Sequence, residues 1–108
     1  MGGARYNVKN IETIAESSDI RARLYTLAPD DVIPWHYHST VTDWYFCLGG
    51  TLRIETRAPR GEESLTPGGR YAIAPNTAHR ISNGGNGKDC RFLLLQGVGV
   101  YDFNKITE

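Results

Sequence analysis

The sequence has no excess of either charge and no long apolar run. Its 108 residues include 12 Lys and Arg against 12 Asp and Glu, so the formal net charge is zero. Nucleic-acid-binding domains usually carry a basic face and an isoelectric point above about 9, and membrane-surface modules carry polybasic clusters. No apolar run approaches the roughly 18–20 residues that span a bilayer. We therefore expect neither nucleic acid nor membrane as a partner.

Cysteine is also scarce. The two thiols, Cys47 and Cys90, lie far apart and form no CxxC pair, so we expect reduced cysteines. The first ten residues are polar and lack the apolar stretch of a secretory signal. These features predict a cytoplasmic protein.

Glycine and proline, in contrast, divide the chain into short segments. The length fits one domain, and segments of about five to ten residues between turns are typical of strands. The predicted strands are residues 41–48, 52–55, 70–74, 78–82 and 90–100. This pattern predicts an all-β sandwich or small barrel.

The N-terminal region has a different pattern. Residues 11–17 place apolar side chains at helical spacing, which predicts one short helix. We expect residues 1–19 to form an N-terminal arm and residues 20–108 a single barrel domain.

Residues 20–25 alternate between apolar and basic side chains. Ile20, Ala22 and Leu24 alternate with Arg21 and Arg23, which predicts a strand whose arginines face water.

Residues 92–95 are apolar at four consecutive positions. Such a strand is usually buried on both faces. A long loop or a second subunit would cover the outer face, and we expect a homodimer.

All three histidines lie in two short segments. His36 and His38 are two residues apart, so on a strand both imidazoles leave the same face. Asp43 follows soon after, and His79 follows a predicted turn. Taken singly, each has an ordinary interpretation as a surface, core or solvated residue. Together, three imidazoles and a carboxylate are a ligand set suited to Fe, Mn, Ni, Cu or Zn.

The spacing of these residues resembles the two motifs of the cupin superfamily, from about residue 20 to residue 99. In the first motif, His36 and His38 are followed by Asp43 and, after six residues, by Gly50. In the second, Gly68 precedes the segment 74–76, then His79 and finally Asn83.

Three positions depart from the cupin pattern. Ala74 stands where the family has Pro, and Asn76 stands where it has Gly; asparagine tolerates the left-handed backbone that such a turn often needs. Asp43 replaces Glu and is one methylene shorter. It would bind a metal at a different distance, bind through a water, or leave three histidine ligands.

The resemblance implies a double-stranded β-helix, a jelly-roll-like barrel of two antiparallel sheets. It also implies one divalent transition metal ion (Fe²⁺, Mn²⁺, Ni²⁺ or Zn²⁺) held by His36, His38, Asp43 and His79. Cupins include oxygenases, isomerases, decarboxylases and small-molecule sensors, so the fold does not select the reaction.

Strand parity predicts which side chains would line a substrate pocket beside the metal. Tyr45 and Cys47 share the face of Asp43, and Ile81 shares that of His79. Tyr45 is a candidate proton donor or orienting group; its alternative is a core aromatic. The remaining predicted pocket residues, on the last long strand, are Phe92, Leu94 and Gln96.

Two classes of function remain open. The first is a metal-dependent enzyme on a small organic substrate, either a dioxygenase or a Lewis-acid isomerase or decarboxylase. The second is a module that binds or senses a metal or metabolite without turnover.

Overall fold

The computed structural model describes residues 8–106, which form ten β-strands. Within these residues no helix is long and apolar enough to cross a membrane. The strands are β1 (Asn10–Glu16), β2 (Ile20–Leu27), β3 (Val32–Tyr37), β4 (Thr42–Gly49), β5 (Leu52–Thr56), β6 (Gly61–Leu65), β7 (Arg70–Ile73), β8 (His79–Asn83), β9 (Cys90–Gly97) and β10 (Asn104–Lys105).

The strands form two antiparallel sheets of five. The order in the first sheet is β1-β2-β9-β4-β7, and the order in the second is β10-β3-β8-β5-β6. One core cluster joins the inner faces of both sheets, with Phe92 from the first and Ile54 and Ile81 from the second. The prediction of an all-β double-stranded β-helix is confirmed.

Alternation along the strands builds this core. On β4 and β9, buried and more exposed residues alternate with a period of two, because successive side chains leave opposite faces of a strand. Tyr45 and Cys47 on β4, and Phe92 and Leu94 on β9, face inward as predicted.

The predicted helix at residues 11–17 is wrong. This segment contributes to β1, an edge strand that pairs antiparallel with β2. An isolated helix of seven residues is unstable in water, whereas the open edge of β2 supplies backbone hydrogen-bond donors and acceptors to this segment. Part of the predicted N-terminal arm is therefore an edge strand; residues 1–7 lie outside the described part of the chain.

The predicted orientation of β2 is also wrong. Tyr25 is buried, so Arg23 and Arg21, two and four residues before it, lie on the inner face. Ala22 and Leu24 lie on the outer face. Alternation gives the period of a strand but not which face is inside, and the barrel interior at this end is polar.

Candidate metal centre

Four predicted ligand residues come together from neighbouring strands. His36 on β3 and His79 at the start of β8 are direct partners in the ladder. His38 lies just beyond β3, and Asp43 lies on β4 of the other sheet. The cluster therefore bridges the two sheets.

A backbone contact joins the two sequence motifs. The N–H of Asn76 donates to the carbonyl of His38 at 2.7 Å. Asn76 has a φ of 62°, the left-handed conformation expected where the family pattern has glycine. The glycine of the first motif, Gly50, is required sterically, because a Cβ there would lie 2.5 Å from the carbonyl oxygen of Asp89.

The side chains of the four predicted ligands are almost completely shielded from solvent. His36 and His38 are 3% exposed, and Asp43 and His79 are 1% exposed. One ligand atom from each residue can be chosen so that all four lie within 4.8 Å of one another. Asp43 Oδ2 lies 3.2 Å from Nε2 of both His38 and His79.

Backbone carbonyls fix the orientation of all three imidazoles. Nδ1 of His36 contacts the carbonyl of Pro34 at 2.7 Å, and Nδ1 of His79 contacts that of Thr77 at 2.8 Å. His38 Nδ1 contacts the carbonyl of Asp102. A carbonyl oxygen only accepts, so each Nδ1 carries a hydrogen, and Nε2 is the ring atom left with a lone pair for a metal.

The arrangement of donor atoms fits a metal ion. The Nε2 atoms of His38 and His79 are buried and make no hydrogen bond with the described residues, although both lie near Asp43. Buried polar atoms without a partner are costly. A cation bound by these nitrogens and the carboxylate would remove that cost.

The two oxygens of Asp43 have different partners. Oδ2 accepts a hydrogen bond from the Tyr45 hydroxyl at 2.9 Å, and Oδ1 accepts from Gln96 Nε2 at 3.0 Å. Gln96 Oε1 in turn accepts from Nε and Nη2 of Arg21 at 3.1 and 3.0 Å. Because Arg21 only donates, it fixes the orientation of the Gln96 amide.

Electrostatics favours neutral His36 and ionised Asp43. Burial and the nearby His79 lower the pKa of His36 to about 3. Burial raises the pKa of Asp43, but His38 and His79 together hold it well below its ordinary value. These are the protonation states in which the two residues bind a metal.

The same environment affects His38 and Tyr45. Burial lowers the pKa of His38, but the Asp43 carboxylate more than compensates, and the net change is upward. Burial and the Asp43 charge raise the pKa of Tyr45 well above its usual value. The Tyr45 hydroxyl therefore stays protonated and donates to Asp43.

A segment after β9, residues 101–103, lies over the histidines. The Phe103 ring stacks on His36 with centroids 4.3 Å apart, and the Tyr101 ring lies 5.2 Å from His38. The carboxylate of Asp102 accepts from the backbone N–H and the hydroxyl of Ser39. This segment was not predicted from the sequence, because it lies outside both motifs.

Arg21 was also missed as a residue near the site. It was expected in water, yet its guanidinium lies 3.6 Å over the Tyr101 ring and contacts Gln96. A signal was present in the sequence, since Tyr25, on the same face of the strand, is a large aromatic that favours burial.

The predicted pocket residues fall into two groups. Tyr45 and Gln96 contact Asp43 directly. The others, which belong to the hydrophobic core, are Cys47, Ile81, Phe92 and Leu94. Cys47 lies four residues along β4 from Asp43, about 13 Å at the usual strand rise; contact between a substrate and these core residues stays a prediction.

Comparison with known protein families identifies the family of this chain. The family model for the cupin domain matches residues 23–96. The chain belongs to the cupin family. No curated protein is significantly similar to this cupin in sequence.

Solved structures share the fold of this cupin at low sequence identity. An uncharacterised conserved protein with a double-stranded β-helix domain from Klebsiella pneumoniae has a TM-score of 0.76 and 16% identity, over 100% of this chain and 90% of that one. KdgF from Halomonas sp. has a TM-score of 0.72 and 15% identity, over 87% and 86%. Oxalate decarboxylase from Bacillus subtilis has a TM-score of 0.73 and 19% identity, and the match covers 83% of this cupin but 24% of the decarboxylase chain. Such identities show the fold alone.

Proposed function

We propose that this cupin binds one divalent transition metal ion through His36, His38, Asp43 and His79. We further propose that it is a metal-dependent enzyme acting on a small organic substrate. The observation that carries the proposal is the convergence of buried Nε2 and carboxylate atoms, with each Nδ1 already committed to a backbone carbonyl. The ion would supply oxygen activation if it is Fe²⁺, or Lewis-acid polarisation of a carbonyl if it is Mn²⁺, Ni²⁺ or Zn²⁺.

The protein residues around the cluster have separable roles. Gln96 holds Oδ1 of Asp43, which leaves Oδ2 as the oxygen directed at the histidines. Tyr45 donates to Oδ2 and orients the carboxylate; its raised pKa favours this role over that of proton donor. The rings of Tyr101 and Phe103 lie against the histidines and would exclude water from the site.

The side chains around the metal site and the structurally similar proteins both suggest a substrate class. The aromatic cover over the histidines favours a small, partly hydrophobic molecule. Structural neighbours include an oxalate oxidase and an oxalate decarboxylase with Mn(II) centres. Mn²⁺ and small carboxylic acids therefore join Fe²⁺ with dioxygen as the first conditions to test.

Elemental analysis tests the metal site. The protein as purified, or after dialysis against each ion, is expected to hold about one metal ion per chain, and His79→Ala is expected to lose it. Ile81→Val is the matched control, because Ile81 lies two residues along β8, is fully buried and donates no ligand. A wild-type protein that holds no metal under any loading condition would overturn the proposal.

A second candidate function is metal or metabolite binding without turnover. The observation that favours it is the closed site, whose four ligand residues are at most 3% exposed. Cobalt-loaded protein tests whether the metal site is open to a small ligand. Azide is expected to change the visible absorption of an accessible site and to leave a closed one unchanged.

Turnover itself is measured separately. Oxygen uptake or carbon dioxide release is followed with iron- and manganese-loaded protein over a panel of catechols, thiols and small carboxylic acids. Substrate consumption that disappears in His79→Ala supports the enzyme. A loaded protein that is silent to azide and to the whole panel supports the binding module.

A further inference from the structure

The outer face of the first sheet carries two rows of side chains that cross all five strands. Members of a row are direct partners in the strand ladder and so share a face. Row one consists of Glu12, Leu24, Leu93, Phe46 and Arg70. Row two consists of Ala15, Ala22, Leu95, Trp44 and Ala72.

The centres of both rows are apolar and open to solvent. Leu24, Leu93, Leu95, Trp44 and Phe46 are all only partly buried within this chain. Leu48, on the same face of β4, is 49% exposed. A continuous apolar patch of this kind is uncommon on a monomer and is typical of an interface.

The two ends of row one carry opposite charges. Glu12 on β1 and Arg70 on β7 are exposed, and neither forms an ion pair with the described residues. One edge of this face therefore carries a single carboxylate and the opposite edge a single guanidinium, with the apolar centre between them.

The rows also differ in size across the sheet. In row two, small Ala22 on β2 and large Trp44 on β4 lie on opposite sides of the central strand β9. In row one, Leu24 and Phe46 are related in the same way. A face with this pattern is complementary to itself after half a turn about an axis along β9.

We propose that this face is the interface of a homodimer whose two-fold axis runs parallel to β9. The axis places β9 against β9 of the partner, β2 against β4, and β1 against β7. Leu93 then packs on its own copy, Ala22 packs on Trp44 of the partner subunit, and Glu12 meets Arg70 of the partner subunit. Aligned sheets packed about 10 Å apart accommodate such contacts.

The charges select this axis over the other in-plane choice. A two-fold axis across the strands would place each edge against the same edge of the partner, so that acid would meet acid and base would meet base. Opposite charges at an interface set its register and orientation. The neighbouring row carries Arg91, which is exposed at the rim, where solvent screens charge repulsion.

Sedimentation velocity and light scattering test the dimer. The full-length protein is expected to be a dimer at micromolar concentration, and Leu93→Glu is expected to be a monomer with unchanged far-ultraviolet circular dichroism. Val98→Glu is the control, because Val98 is 69% exposed but lies beyond β9 and outside both rows. A wild-type monomer at 100 µM would overturn the proposal and leave the face to a different protein.

A charge exchange tests the axis. At low salt, Glu12→Arg and Arg70→Glu are each expected to raise the dimer dissociation constant about tenfold, because each puts like charges together twice per dimer. The double variant is expected to return to within about threefold of the wild-type constant. Single variants that dimerise as tightly as the wild type would reject this arrangement even if the protein is a dimer. A double variant whose loss of dimerisation free energy equals the sum of the two single losses would reject it as well.

Discussion

At the scale of single residues, the contacts of Asp43 set how its carboxylate is presented to the histidines. Gln96 binds one oxygen, and Arg21 fixes which end of the Gln96 amide faces Asp43. Tyr45 binds the other oxygen. This chain of contacts holds the carboxylate of Asp43 in one orientation beside the imidazoles.

Gln96→Leu is expected to weaken both the metal site and the fold. The substitution leaves Oδ1 of Asp43 and two donors of Arg21 without their partner, which costs about 1–3 kcal/mol of unfolding free energy. Loss of such an outer contact typically lowers metal affinity about 10- to 100-fold. Calorimetric titration with Mn²⁺ and urea unfolding measure the two effects.

Tyr45→Phe provides the comparison for that experiment, because it removes the hydrogen bond to the other oxygen of Asp43. If Gln96→Leu binds Mn²⁺ as tightly as the wild type, Gln96 has no part in positioning Asp43.

The two cysteines are expected to be inert in the folded protein. Burial, with the neighbouring Cys47, raises the pKa of Cys90 to about 12, and burial raises that of Cys47. At pH 8 a thiol with a pKa of 12 is only about one part in 10⁴ thiolate, and the thiolate is the reactive form. Ellman's reagent is therefore expected to label neither thiol until guanidinium unfolds the chain.

The raised pKa values of these thiols imply a loss of stability at alkaline pH. Each pKa is higher in the folded than in the unfolded chain, so the contribution of the thiols to the free energy of unfolding is complete below about pH 9 and decreases as the pH rises toward 12. Urea midpoints at pH 8 and pH 10 measure this. Cys90→Ala is expected to reduce the difference, and an equal difference in the variant would assign it to other groups.

At the scale of elements, the sequence predicts strands where apolar alternation is strong and fails where polar residues dominate. The core strands β4, β5 and β9 were predicted close to their observed ranges. The strand β6 is rich in glutamate and was not predicted, because its pairing with β5 supplies the order. The strand β1 was mistaken for a helix, since its residues are exposed and only the edge of β2 selects its conformation.

The segment 101–103 is expected to control the exchange of the bound metal. Phe103→Ala removes the ring that stacks on His36, which opens the site to water and to chelators. Metal loss to a chromophoric chelator is expected to be about tenfold faster. Val100→Ala is the control, because Val100 belongs to the same stretch but is 72% exposed; equal rates in both variants would contradict a covering role for the ring.

At the scale of the whole molecule, motif spacing predicted that His36, His38, Asp43 and His79 lie together, as they do, and alternation predicted the inward faces of β4 and β9. The spacing could be recognised in the sequence because rigid strands must bring His36, His38, Asp43 and His79 to one point. The inward face of β2 and the position of residues 101–103 could not be predicted from the sequence. Both depend on contacts between distant parts of the chain, which no local pattern encodes.

Metal loading is expected to stabilise the whole domain. An ion that binds only the folded chain adds about 2.7 kcal/mol when its concentration is 100 times its dissociation constant. For a domain of this size, this corresponds to a rise in Tm on the order of 10 °C. Calorimetry with and without Mn²⁺ measures the rise, and His79→Gln is expected to abolish it. An equal rise in that variant would place the stabilising ion elsewhere.

The position of β9 has a consequence for synthesis of the protein. It is the central strand of the first sheet, yet it follows the other four strands of that sheet in the chain. As the polypeptide emerges from the ribosome, β2 and β4 have no strand between them until residues 90–97 have been made. A messenger truncated before that point yields a product that lacks the middle of its sheet, which makes it a ready target for quality-control proteases.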